Sequence, residues 1–176
     1  QMAKQKLNAF LKKIGYPSKW KTYDDVTIDK NNFFANAMGI RMHAQKEMLD
    51  KIGKPVDRTE WGMTVPTVNA YYNPSNNEIV FPAGILQPPF FNANADDAVN
   101  YGAIGMVIGH EMTHGFDDQG SQYDVEGNLK NWWNIEDNAK FKAKTAGVVK
   151  LYNSFAILDS VHVNGELTLG ENIADI

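Results

Sequence analysis

The sequence predicts an α+β chain that is mainly helical, and three observations carry that expectation. Apolar residues recur at helical spacing along stretches near 3–14, 29–52, 94–108 and 134–155. Two short runs rich in β-branched and aromatic residues, 65–72 and 78–81, flank the dense turn signal Asn73-Pro74-Ser75-Asn76-Asn77. The composition over 176 residues, 43% hydrophobic, 22% charged and 11% aromatic, suits one globular domain with a buried core.

The elements follow in order. Leu7, Phe10, Leu11 and Ile14 mark the apolar stripe of a first helix over 3–14, which Gly15 and Pro17 stop. Asp29 opens a second helix expected to run to about Ile52. Its stripe is Phe33, Phe34, Ala37, Ile40, Ala44, Met48 and Leu49, and Gly53 and Pro55 end it. The runs 65–72 and 78–81 read as a β-hairpin or two neighbouring strands, followed by an irregular loop through Pro82, Gly84, Pro88 and Pro89. Asn94 is the expected N-cap of a third helix, with Asp96 and Asp97 in its first turn. Residues 98–108 are apolar on nearly every face, which predicts a helix buried on all sides. Gly102, Gly105 and Gly109 are expected to admit close backbone packing there. A polar, turn-rich segment, 115–133, leads to a long amphipathic fourth helix over 134–155. After the tight turn Asn164-Gly165, the run Leu169-Gly170-Glu171-Asn172-Ile173-Ala174-Asp175 reads as a helix start. The chain reaches Ile176 inside that motif, so a fragment is expected: one partial domain over 1–176, with a helical part at 1–60 and the strands, third helix and last helix start at 61–176.

Composition excludes several function classes. The formal net charge is −4 and no basic cluster exceeds Lys12-Lys13, so no nucleic-acid partner is expected. No apolar run approaches the ~20 residues of a membrane span, and residues 1–6 lack the apolar core of a signal peptide. With no cysteine there is no disulfide framework, thiolate site or cysteine nucleophile. Any metal must be held by histidine and carboxylate.

His110-Glu111-Met112-Thr113-His114 supplies such a set. Residues four apart share one helix face, so both imidazoles reach one ion, and Glu111 sits where it can take a proton from a water on that ion. The alternative is a pair of partly exposed helical histidines. A catalytic zinc wants a third protein ligand and an open position. Glu171 is the best candidate, with Asp175 four residues on along the same face. A ligating histidine usually donates its other N–H to a carboxylate, a role open to Asp175 for one imidazole and Asp117 for the other. The plainer readings are a helix-start carboxylate at Glu171 and a solvated helix end at Asp117-Asp118.

From residue 61 onward the chain resembles the neprilysin and endothelin-converting-enzyme family of zinc endopeptidases. The resemblance is carried by Val68-Asn69-Ala70-Tyr71-Tyr72, by the run Asn77-Glu78-Ile79-Val80-Phe81-Pro82-Ala83-Gly84-Ile85-Leu86-Gln87-Pro88-Pro89-Phe90-Phe91, and by Ile108-Gly109 leading through the histidine motif to Gly115-Phe116-Asp117-Asp118. Trp132-Trp133 and Gly170-Glu171-Asn172-Ile173-Ala174-Asp175 complete it. It implies part of a thermolysin-like zinc peptidase catalytic domain, with a short β-hairpin at the substrate edge and one Zn²⁺ per chain. His110, His114 and Glu171 would be the ligands and Glu111 the general base. Asp175 would act among the catalytic residues by orienting His110, and Asp117 would orient His114. Asn69 and Ala70 would bind the main chain of a peptide substrate, consistent with strand addition at a sheet edge; the plainer reading is a strand beside a turn.

Family members are several times longer, so the remainder of the parent protein is an expected partner. That remainder would include a histidine and an arginine that stabilise the tetrahedral intermediate; neither His43 nor His162 matches them. The absence of cysteine favours a bacterial member, and the family likeness favours the cell envelope or periplasm over the cytoplasm. The expected function is hydrolysis of short to medium peptides. Its rival is a non-catalytic peptide-binding or scaffold fragment with a structural or empty zinc site.

Overall fold

The first apolar stripe is shared between two elements. The computed structural model describes residues 1–176, and in it Leu7 lies in helix α1 (Met2–Asn8), whereas Leu11 and Ile14 fall in strand β1 (Leu11–Gly15). The helix expected over 3–14 is therefore corrected. A long-range ladder outcompetes the local periodicity: β1 runs parallel to β3 (Glu78–Pro82), with Leu11 opposite Glu78 and Gly15 opposite Pro82. The strand turns Lys13 inward, where its ammonium meets Glu78 at 2.7 Å with both side chains buried.

Every residue of β3 is buried, as befits a central strand. On its other side β2 (Tyr71–Asn73) pairs antiparallel, giving the order β1-β3-β2. The hairpin is present, but its first strand is only the end of the predicted 65–72. The backbone before it bonds elsewhere: Val65 O accepts from Gly84 N at 2.9 Å. A Cβ at Gly84 would stand 2.4 Å from the Pro66 carbonyl oxygen, so only glycine permits this approach. Asn77 closes the hairpin turn at φ 48 and is fully buried; its amide donates to the carbonyls of Lys6 and Val125. Phe10, Ala70, Ile79, Phe81, Ile85 and Ile104 form the core beneath the sheet, with Tyr72, Met112 and Phe116 packed against it.

The third predicted helix is two helices. α3 (Asp97–Gly102) starts after Asp96, not Asn94, and Ala103 at φ −102 and ψ −90 breaks it from α4 (Ile104–His114). The all-round burial expected of 98–108 does not hold. Ile104 is buried there, but Tyr101 is 78% exposed and Met106 57%, because the core covers one side of the helix. A Cβ at Gly102 or Gly109 would meet open space, so neither supports close packing. α5 (Ile135–Asn153) starts where the fourth helix is expected and ends two residues short of 155, with none of its residues buried; Asn134 caps it, its Oδ1 accepting from Asp137 N at 2.7 Å. An unpredicted hairpin follows, β4 (Ala156–Leu158) with β5 (Val161–His162). Asn164 then turns the chain into α6 (Leu169–Asp175), which packs on α4.

The chain divides into two compact units, one of residues 1–16 with 63–176 and one of 17–62. The smaller unit holds α2 (Phe33–Leu49), capped by Asn32 and so starting later than Asp29 and ending before Ile52. Its predicted stripe is not a core face: no residue of α2 is buried, and Phe33 is 86% exposed. His43 pairs locally with Asp25 at 2.6 Å. No helix is long and apolar enough to cross a membrane.

Candidate metal centre

α4 carries His110 and His114 one turn apart, both about four-fifths buried and turned to the same side. α6 crosses beside them and brings in Glu171 and Asp175, the latter 65 positions from His110. His110 Nε2 lies 3.0 Å from His114 Nε2 and 3.2 Å from Glu171 Oε2, and His114 Nε2 lies 3.5 Å from that same oxygen. These atoms form a group of potential metal ligands within 4.8 Å of one another.

The outer nitrogens fix the chemistry of the inner ones. His110 Nδ1 donates to Asp175 Oδ1 at 2.8 Å, and His114 Nδ1 donates to Asp117 Oδ2 at 2.8 Å. With each Nδ1–H engaged by a carboxylate acceptor, a neutral imidazole presents its lone pair at Nε2. Two lone pairs and a carboxylate oxygen then converge with no donor among them, which is the arrangement a cation resolves. The spacing agrees: ligands at the usual zinc–nitrogen distance in a tetrahedron lie ~3.3 Å apart. The donor set fits zinc.

Glu111 stands on the neighbouring face of α4 and is 6% exposed. The backbone N–H of Tyr72 in β2 donates to its carboxylate. Burial pushes the Glu111 carboxyl above the ordinary carboxylate range, against the pull of His114 and His110. The hydrogen bond to Asp117 raises the His114 imidazole above its ordinary value, and burial opposes it. Asp117 is itself buried and held rigid, its Oδ1 accepting from Gln119 N at 2.9 Å and Gly120 N at 2.6 Å. The two carboxylates of α6 are far more open, 68% exposed at Glu171 and 60% at Asp175.

A cleft of about 480 Å³ lies over these groups. Asn69, Ala70, Tyr71, Leu167 and Glu171 are among the residues that line it. Asn69 is exposed and its side-chain oxygen accepts from Ala70 N at 2.9 Å, so this pair carries a local bond of its own at the cleft. The structure thus brings every sequence-predicted site residue to one cleft or to its immediate support. Sequence reasoning missed the Tyr72 N–H, which no side-chain pattern announces, and Gly170, where a Cβ would stand 3.0 Å from Asp117 Oδ2.

Comparison with known proteins points the same way. Residues 69–176 match the model of peptidase family M13. The chain is 47% identical to an endothelin-converting enzyme homolog of Locusta migratoria, over 98% of this chain and 25% of that protein. It is 45% identical to endothelin-converting enzyme 1 of Rattus norvegicus, over 98% of this chain and 24% of that protein. Among solved structures, the zinc metalloprotease ZMP1 of Mycobacterium tuberculosis, in complex with an inhibitor, superposes with a TM-score of 0.94 at 50% identity, over 99% of this chain and 28% of that one. PEPO of Lactobacillus rhamnosis gives 0.88 at 38% identity, with the same coverage. The chain spans about a quarter of the length of the curated relatives it matches.

Proposed function

The chain belongs to peptidase family M13, and from that membership we propose that it is the zinc-binding part of a metalloendopeptidase that hydrolyses short to medium peptides. His110, His114 and Glu171 hold one Zn²⁺ per chain, Asp175 orients His110 and Asp117 orients His114. The observation that carries this reading is the convergence of His110 Nε2, His114 Nε2 and a Glu171 carboxylate oxygen, all within 4.8 Å of one another.

A zinc bound there supplies Lewis acidity, polarising the scissile carbonyl and lowering the pKa of a water to about 7. Glu111 accepts the proton of the attacking water and passes it to the leaving amine. Its burial suits the task, since a raised carboxyl pKa lies nearer to neutral pH than a solvated one. The Tyr72 N–H favours the charged form of that carboxylate. Asn69 and Ala70 line the cleft next to edge strand β2, where an extended peptide adds main-chain hydrogen bonds. Its partners are peptides and the remainder of the parent protein. For the compartment of that parent, family likeness favours the cell envelope or periplasm over the cytoplasm.

The test is metal content on the chain as purified, without added zinc. One zinc per chain, absent from a His114→Ala control, is the expected result. Wild-type chain without metal, or a control that keeps it, overturns the assignment.

A further inference from the structure

Lys6 is the largest fully buried side chain of the molecule, at 2% exposure, and no part of the chemistry above uses it. Its ammonium has three N–H donors, and the structure shows an acceptor for each. Nζ donates to Gly115 O at 2.7 Å, Gly120 O at 2.6 Å and Tyr123 O at 2.7 Å. The faces of Tyr72, Phe116 and Trp132 surround it at 5.6 to 5.9 Å. Burial lowers its pKa to about 8, with the charges of Asp117 and Asp124 acting the other way, so the group is a cation at neutral pH.

The three carbonyls are not scattered. Gly115 follows His114 at the C-terminal end of α4, where unpaired carbonyls and the helix dipole favour a cation. Gly120 is wedged against that end: a Cβ there would stand 1.8 Å from the His114 carbonyl oxygen. The Gly120 N–H is also the donor that holds Asp117 Oδ1, and Asp117 Oδ2 receives His114 Nδ1–H. A continuous path therefore runs from the ammonium to the Gly120 carbonyl, through the backbone of Gly120 to its N–H, to Asp117 and on to the imidazole.

We propose that Lys6 is a positioning residue of the metal centre, clamping the Gly115–Gly120 turn so that Asp117 holds His114 in the ligating tautomer and orientation. This rests on the zinc reading above. It makes α1 part of the site's support, although α1 contributes nothing to the cleft wall.

The experiment measures zinc affinity by competition with a chromophoric chelator, on the 176-residue chain, alongside far- and near-ultraviolet circular dichroism. Lys6→Met is expected to fold and to bind zinc more weakly by about tenfold, the lower end of the effect of removing a ligand's outer support. Combined with Asp117→Asn it should weaken binding no further than Asp117→Asn alone, because both act along one path. The sequence has no cysteine, so Lys6→Cys carries a single thiol. Aminoethylating it in denaturant and refolding returns an ammonium at that place, which should restore the affinity. Wild-type chain that binds no zinc would sink the zinc reading and this inference together. Wild-type affinity in a folded Lys6→Met chain, or additive losses in the double variant, would sink this inference alone. Should Lys6→Met fail to fold, Lys6→Gln takes its place; if that also fails, Lys6 is a fold residue and the positioning role is wrong.

Discussion

Glu111 pays for its position in stability. Its carboxyl is held in a buried place that favours the protonated form, so its folded pKa lies above the unfolded value. The folded state then binds more protons than the unfolded one between those two values, and stability falls as pH rises through that window. Glu111→Gln removes the charge and keeps the shape. In the metal-free chain it should raise Tm at pH 7 by a few degrees, at about 2–4 °C per kcal/mol for a chain of this size, and change it little near pH 4. Thermal melts at the two pH values check this. With metal, the same variant should keep its zinc and lose peptide turnover; lost zinc or unchanged turnover would contradict the role given to Glu111. The carboxylates behind the histidines should differ. Asp117 is buried and also caps two backbone N–H groups, whereas Asp175 is 60% exposed. Asp175→Ala should weaken zinc binding about tenfold with little effect on Tm, and Asp117→Ala should lower both. Equal effects on Tm would contradict that division.

At the level of elements, what was legible in the sequence depended on how local the determinants are. α4 and α6 carry their polar residues at helical spacing within a few positions, so His110, Glu111, His114, Glu171 and Asp175 could be singled out as candidates before any fold was known. The start of α5 near Asn134 was readable for the same reason. β1 was not. Leu7, Phe10, Leu11 and Ile14 fit a helical period, and only the parallel ladder with β3, more than sixty positions on, turns residues 11–15 into a strand. The exposed faces of α2 and α3 misled in another way, because an apolar stripe predicts that something covers it without saying that this chain supplies the cover. The β1–β3 pairing makes a prediction of its own. Lys13→Met leaves the Glu78 carboxylate buried without its ammonium, which typically costs about 3–5 kcal/mol. Chemical denaturation should show that loss, and a double replacement of Lys13 and Glu78 by Met and Leu should recover most of it.

For the whole molecule, the site joins two helices that lie far apart along the chain. α6 is a short helix whose two key carboxylates are open to water, and it meets α4 across the ligand set. An ion bound by His110, His114 and Glu171 adds its binding free energy to that contact. At a hundredfold excess over Kd this is ~2.7 kcal/mol. Adding zinc should therefore raise Tm by about 5–10 °C, and a chelator should reverse the shift. A Tm indifferent to both would mean that the folded chain binds no zinc at this site.

The distance along the chain between those partners also sets an order of events. Two imidazoles on one helical turn are in place as soon as α4 winds, on the order of a microsecond. Glu171 lies 57 positions beyond His114, with α5 and the β4–β5 hairpin between them, so it joins only when the chain closes that longer loop. Zinc present from the first moment of refolding thus meets a half-made site, is held weakly, and is retained only when the last helix docks. The ion's capture is a clock for the end of assembly, and the lag before it becomes resistant to chelator measures how long this chain takes to bring its two halves together.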